Sequence, residues 1–171
     1  MKPQIDRPSQ HSAGATGAER LAAPPIAEAK PDWFLRIDDP ESLVELRERE
    51  KPYEQQARAT YPAARERFLR GLPPGAQFFV TVWLQDLAGH EENSFVHVAT
   101  IRQSQITGQV ASDLSLVSGC RQGDWLNLEE GDVVDWTIVT AAGQEEGNYV
   151  GKFLESLRAD LDPTLAQRAP R

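Results

Sequence analysis

The amino-acid sequence predicts an α+β fold in which a five-stranded meandering antiparallel sheet, curled or barrel-like, lies between N-terminal helices and a C-terminal helix. Apolar residues recur at helical spacing before residue 71 and after residue 149. The segment between them is instead rich in β-branched and aromatic residues. It contains five short strand-like runs with hairpin-sized links, an arrangement that favours an antiparallel sheet.

The five strands are predicted from runs of Val, Ile, Thr, Phe and Trp that are bounded by turn residues. In the run "VVDWTIVT", Trp136 alternates with Val134 and Ile138, so the three are expected to share a strand face in the core. The predicted strands cover residues 76–84, 94–101, 105–112, 124–128 and 133–140.

A linker helix is predicted over residues 32–51, with its start in "DDPESLVELRERE". Asp39 can cap this helix, and Pro40 at its first position loses no N–H that the helix needs. We expect Pro52 to end it, because proline cannot donate to the preceding turn.

A second helix is predicted over residues 53–71, where aromatic and alanine residues recur every three or four positions. Pro62 predicts a break or kink within it. The C-terminal helix is predicted from about residue 149 to residue 161, with Phe153 and three leucines on one side.

These elements predict one domain with two tails. Residues 1–31, rich in Ala, Pro, Gly and Ser, are expected to be a disordered arm, since they hold few large apolar side chains to repay the cost of ordering. A single α+β domain is expected over residues 52–161, and a polar tail over 162–171.

Charge is unevenly distributed along the chain, whose net charge is −8. Residues 72–151 hold eleven acids and two bases, whereas residues 52–71 hold four arginines and two glutamates. Such an acidic region repels polyphosphate backbones, so we expect no nucleic-acid binding and consider a basic protein partner instead. The alternative to such a partner is that these acids form an ordinary solvated surface with no binding role.

The sequence contains neither a run long enough to span a membrane nor an apolar leader at "MKPQIDRPSQ". Cys120 is the single cysteine, which excludes an internal disulfide and a multi-cysteine metal cage. We therefore expect a cytoplasmic protein with no membrane contact. The sequence does not indicate an oligomeric state.

Acidic residues near the strand ends are the main candidates for function. As carboxylates they could hold a cation or act as acid and base, but Asp124 and Asp132 each follow a glycine in ordinary turn positions. We consider a binding surface the better hypothesis and expect no metal or cofactor. The candidate binding surface consists of Glu92, Asp124, Asp132, Asp135, Glu145, Glu146 and Asn148.

The stretch "EEGNYVGKFL" resembles a phosphate-binding loop only superficially. A Walker loop needs a hydroxyl after its Gly-Lys pair and a glycine five places before the second glycine, but Phe153 and Glu146 stand there. A strand-to-helix junction explains the same residues. In that interpretation Gly147 takes a positive φ and the side-chain oxygen of Asn148 caps the helix.

Several segments between residues 52 and 160 together resemble a bacterial family of unknown function numbered 2314 (DUF2314). They are "ARATYPAARERFLRGLPPG", "FFVTVWL", "GHEENSFVHV", "ITGQVASD", "CRQGDWLNLEEGDVVDWTI" and "GQEEGNYVGKFLESL". One departure is Asn93, where many relatives have histidine. The resemblance implies a small α+β fold and a bacterial origin but no activity. It also suggests an immunity-type role, because some relatives look like neighbours of polymorphic toxins.

Taken together, the sequence favours a non-enzymatic interaction domain whose acidic surface binds a basic protein. The alternative is a small hydrolase or metal-dependent enzyme that uses the carboxylates.

The junction interpretation of "EEGNYVGKFL" predicts that the protein does not bind nucleoside triphosphates. Calorimetric titration with ATP and GTP in the presence of magnesium should give no binding heat. Micromolar affinity that disappears in Lys152→Ala would contradict the prediction and restore the phosphate loop.

Overall fold

The computed structural model describes Pro40–Leu161, and it describes side chains for residues 44–157. The predictions for residues 1–31, for the start of the linker helix before Pro40 and for the tail at 162–171 lie outside the described residues. In chain order the elements are α1 (Pro40–Arg70), β1 (Gln77–Gln85), β2 (Glu91–Arg102), β3 (Gln105–Val110), β4 (Trp125–Glu129), a 3₁₀ turn (Glu130–Asp132), β5 (Val133–Val139), β6 (Glu145–Gly147) and α2 (Tyr149–Leu161).

The predicted α+β class is confirmed, but the sheet has six strands, in the order β4-β3-β2-β1-β5-β6. All neighbouring strands are antiparallel. The five predicted strands are present, and the prediction missed β6, which has three residues and is too short to show a period. The meander holds for β1 to β4 only, because β5 then pairs with β1 on the other side.

The connection from β4 to β5 bends the sheet. The two strands stand four positions apart, which is about 19 Å in a flat sheet with strands about 4.8 Å apart. The chain covers this distance between Glu129 and Val133, whose four Cα–Cα steps reach at most about 14 Å. The sheet must therefore curve so that these strand ends approach one another, although the sheet does not close into a barrel.

Helix α1 lies on the concave face of this sheet and runs without interruption through Pro52 and Pro62. The predicted helix end at Pro52 is therefore wrong, and of the break or kink predicted at Pro62 the break does not occur. A proline inside a helix costs about 3 kcal/mol, since it removes one hydrogen bond and crowds the previous turn. That cost is offset by tertiary packing: Ala57 and Ala64 are buried in the core, and the rings of Phe68 and Phe78 of β1 pack with centroids 5.2 Å apart.

Trp136 on β5 connects the helix to the sheet, and its predicted place in the core is confirmed. Its indole N–H donates to the main-chain oxygen of Ala57 (3.2 Å) and to the hydroxyl of Thr60 (3.0 Å). Val134 and Ile138 are also buried. The indole therefore packs on the concave face of the sheet, and its N–H group finds hydrogen-bond acceptors there.

Replacing Trp136 tests how much the helix and sheet depend on this contact. Trp136→Ala should lower the free energy of unfolding by about 3–5 kcal/mol, the usual range for truncating a buried large aromatic. Trp136→Phe keeps a ring but removes the N–H donor, so it should cost clearly less. Urea denaturation gives both values, and an unchanged midpoint for Trp136→Ala would show that the side chain contributes little.

Candidate functional site

The structure divides the seven predicted surface residues among separate places. Four surround the junction of β5, β6 and α2, and the other three lie on β2, before β4 and in the 3₁₀ turn. The side chains of Glu92, Asp135 and Asn148 are buried, so they face the interior and do not contribute to a common surface. The junction residues are Asp135, Glu145, Glu146 and Asn148, and the separate ones are Glu92, Asp124 and Asp132.

The carboxylate of Glu92 binds the main chain of a loop. It accepts N–H groups from three consecutive loop residues, Ser115, Leu116 and Val117, at 2.8–3.1 Å. Several N–H donors around one carboxylate satisfy its charge inside the protein. Glu92 therefore orders the segment between β3 and β4.

Asp86, at the end of β1, is a second carboxylate of the same kind. One oxygen accepts the N–H groups of Ala88 (2.9 Å) and His90 (3.0 Å), and the other accepts the N–H and hydroxyl of Ser118 (3.1 and 2.9 Å). The side chain of His90 lies 3.0 Å from that second oxygen. The hydrogen bonds from His90 and Ser118 hold the pKa of Asp86 well below its usual range.

Asp86 and Glu92 together fasten two loops, residues 86–90 and residues 112–118, which we call the clamped loops. Each loop presents one exposed leucine: the side chain of Leu87 is 89% exposed and that of Leu116 is 50% exposed. Contiguous exposed apolar patches mark interaction surfaces, and both leucines lie on loops fastened by the same two carboxylates.

Sequence reasoning missed Asp86, because an acid before "LAG" looks like any turn residue. The available signal was "QDLAGHEEN", where an acid precedes a glycine turn by three residues and can receive its N–H groups.

At the junction of β5, β6 and α2, the buried carboxylate of Asp135 accepts a hydrogen bond from the first turn of α2. It accepts the N–H of Val150 and the N–H of Trp136, both at 2.7 Å. Burial raises the pKa of Asp135 to about 6, against the opposing effect of these hydrogen bonds and of Lys152. The carboxylate thus occupies the end of α2 where the helix dipole favours negative charge.

The predicted cap by the side-chain oxygen of Asn148 is wrong. Within the described residues that oxygen has no hydrogen-bond partner, while the Asn148 amide nitrogen donates to Glu145 at 2.9 Å. The predicted positive φ of Gly147 is confirmed at +80°. Gly151 is needed because a Cβ there would overlap the Asn148 side chain, and Lys152 donates to the main-chain oxygen of Gly147 at 2.7 Å.

The acids near β4 and β6 are partly neutralised by helix α1. Arg65 pairs with Glu130 (2.5 Å), and Arg67 pairs with Glu146 (2.5 Å). The arginine-rich segment of the sequence therefore complements the acidic strand ends within the same chain. The exposed pair of Arg67 and Glu146 adds little stability, but both pairs reduce the negative electrostatic potential that a partner would meet.

A small cavity of about 240 Å³ lies between α1 and the 3₁₀ turn. At its wall, the hydroxyl of Tyr61 donates to Glu130 at 2.9 Å, and burial with this hydrogen bond raises the pKa of Tyr61 above its usual range. Ligand pockets in proteins are commonly larger, about 300–1,000 Å³. The cavity is lined by Ala57, Arg58, Tyr61, Glu130, Gly131, Val133 and Val134.

Across Pro40–Leu161, no group of three or more His, Cys, Asp or Glu side chains is placed to hold a metal ion. Within the same range, neither helix is long and apolar enough to cross a membrane.

The chain was compared with family models, curated proteins and solved structures. It matches no family model, no curated protein and no solved structure. The resemblance to family 2314 therefore stays a prediction from the quoted segments.

The raised pKa of Asp135 predicts a pH-dependent stability. Its folded pKa of about 6 lies above the ordinary value near 3.9, so the folded protein binds the proton more tightly between these pH values. Its contribution to the free energy of unfolding should therefore fall as pH rises from 4 to 7.5, by at most about 3 kcal/mol. Urea denaturation at several pH values measures this change.

Asp135→Asn is the test variant, since it keeps an oxygen for Val150 and removes the ionisation. Its stability should vary less with pH than that of the wild type. Part of the slope should remain, because burial and the neighbouring Glu54 also raise the pKa of Glu50, to about 7. An equal slope in the wild type and in Asp135→Asn would contradict the prediction.

Proposed function

We propose that this chain is a non-enzymatic interaction domain that binds another protein, and that the clamped loops form its docking surface. The observation that carries the proposal is Leu87, whose side chain is 89% exposed on a loop fastened by Asp86. Leu116 lies on the second loop, fastened by Glu92. Exposed leucines held in this way support binding to an apolar surface.

The hydrogen bonds that Asp86 and Glu92 accept from the loops also affect the affinity for a partner. Association costs free energy for every loop that must be ordered, and ordering the loop beforehand lowers that cost. Asp86 accepts the N–H groups of Ala88 and His90 after Leu87, and Glu92 accepts those of Leu116 and Val117. The main chain beside each leucine is therefore held before a partner arrives. Two buried carboxylates used to order a surface loop support a recognition role for that loop.

The chemistry of the partner follows from the surroundings of the leucines. Asp113 is exposed on the same loop as Leu116, and the chain carries a net charge of −8. A partner with an apolar pocket and basic residues at its rim would complement this surface. The immunity-type role that the family resemblance suggests would be one form of this function.

The alternative of a hydrolase or metal-dependent enzyme has less support. Glu92 and Asp135 are buried, and their oxygens accept main-chain N–H groups. A general acid or base needs an oxygen within reach of a substrate proton. Glu92 and Asp135 instead stabilise the fold through these hydrogen bonds, so we propose no catalysed reaction.

The test is affinity capture from an extract of the source organism, followed by purification of the captured protein and calorimetric titration. The double variant Leu87→Ser/Leu116→Ser should bind this protein at least tenfold more weakly. Leu69→Ser is the matched control, because Leu69 is also 50% exposed but lies on α1, and it should bind like the wild type.

A further variant tests whether ordering of the loop contributes to binding separately from contact by the leucines. Glu92→Gln leaves both leucines in place but replaces the carboxylate that receives the loop, so it should weaken binding and increase proteolysis within residues 112–118. Failure to capture any protein, or equal affinity for the double variant and Leu69→Ser, would rule out the clamped loops as the docking surface.

A further inference from the structure

Among the described residues strand β4 forms one edge of the sheet, and two hydrogen bonds show which of its main-chain groups point away from β3. The N–H of Glu130 donates to Ser104 (2.8 Å), and the N–H of Val110 donates to Asp124 (2.9 Å). Bonded and non-bonded pairs alternate in an antiparallel ladder, so the even-numbered residues of β4 bond to β3. The N–H and C=O groups that point to the open side belong to Trp125, Asn127 and Glu129.

The two edges of the sheet differ in how they are protected. Edge β6 has only three residues, two of them glutamates, and Lys152 binds the main-chain oxygen of its last residue, Gly147. Edge β4 has five residues with no proline, lysine or shift in register, and its one charge is at Glu129. Its Trp125 is 54% exposed. Unprotected edges of this kind pair with other strands.

We propose that β4 pairs antiparallel with β4 of a second copy of this chain, around a two-fold axis at Asn127. This register places Asn127 opposite Asn127 of the other copy. Trp125 then stands opposite Glu129 on the outer face, and Leu126 stands opposite Leu128 on the inner face. The three outward-pointing positions of each strand all find partners in this register.

Both faces of the strand are self-complementary in this one register. On the outer face, the indole N–H of Trp125 can donate to the Glu129 carboxylate, and the two Asn127 amides can donate to each other. On the inner face, the half-buried Leu126 meets an apolar residue, Leu128. A two-fold interface requires such matching of a patch to itself, which favours a second copy over an unrelated strand.

Charge opposes this contact less than it opposes most other contacts between copies. Two chains with a net charge of −8 repel one another over most approaches. β4 carries a single charge in five residues, and the proposed register places that carboxylate beside an indole rather than another acid. Because the contact is only five residues long on each side, we expect a weak dimer with a Kd on the order of 10–100 µM.

Sedimentation equilibrium of the full chain over about 5–500 µM brackets this Kd and should show a monomer–dimer equilibrium. Trp125→Glu places a carboxylate opposite Glu129 of the other copy, so it should raise Kd at least tenfold. The double variant Trp125→Glu/Glu129→Lys puts opposite charges in register and should restore dimerisation. Val44→Glu, which adds the same charge at an exposed site on α1, should leave Kd unchanged.

Hydrogen exchange of the wild type tests the same register without a variant. The amides of Asn127 and Glu129 should become protected as concentration rises, whereas those of Leu126 and Leu128 should be protected at every concentration. A chain that stays monomeric over the whole range would overturn the proposal. A dimer that Trp125→Glu leaves intact, that the charge exchange fails to restore, or that shows no such exchange pattern would also overturn it.

Discussion

The short connection between β4 and β5 is the constraint on which the rest of this structure depends. Three residues of 3₁₀ turn, Glu130–Asp132, join strands that stand four positions apart in the sheet. The sheet must bend to allow this, and the bend creates the concave face that α1 fills. Trp136 then meets the helix across that face, and Tyr61 and Arg65 of the helix reach Glu130 in the turn itself.

The same arrangement explains where the acidic residues of the sequence are used. Glu92 and Asp86 accept hydrogen bonds from loop N–H groups, and Asp135 accepts one from Val150 at the start of α2. Glu130 and Glu146 are paired with arginines of α1. Much of the negative charge thus organises main chain and helix packing. The surfaces that we propose for partners are the leucines of the clamped loops and the edge of β4, which carries one charge.

Helix α1 shows how packing overrides local rules. Pro52 and Pro62 are strong local signals for a helix end, and a short isolated helix would obey them. Here one face of the helix is buried against the sheet and α2: Ala57 and Ala64 are in the core, and Tyr53 stacks on Phe153. The free energy of that burial exceeds the local cost of the prolines, and the chain forms one helix of 31 residues.

The sequence by itself determined the α+β class, the positions of five strands, the burial of Trp136 and the positive φ of Gly147, because periodicity and glycine geometry are local properties. Only the tertiary structure decided that β5 returns to β1, that α1 is continuous and that Asp135 rather than Asn148 caps α2. It also decided that Asp86 and Glu92 both bind the loop of residues 112–118. Each of these depends on a partner distant in the chain, and single-sequence patterns do not specify which distant main-chain N–H a carboxylate will meet.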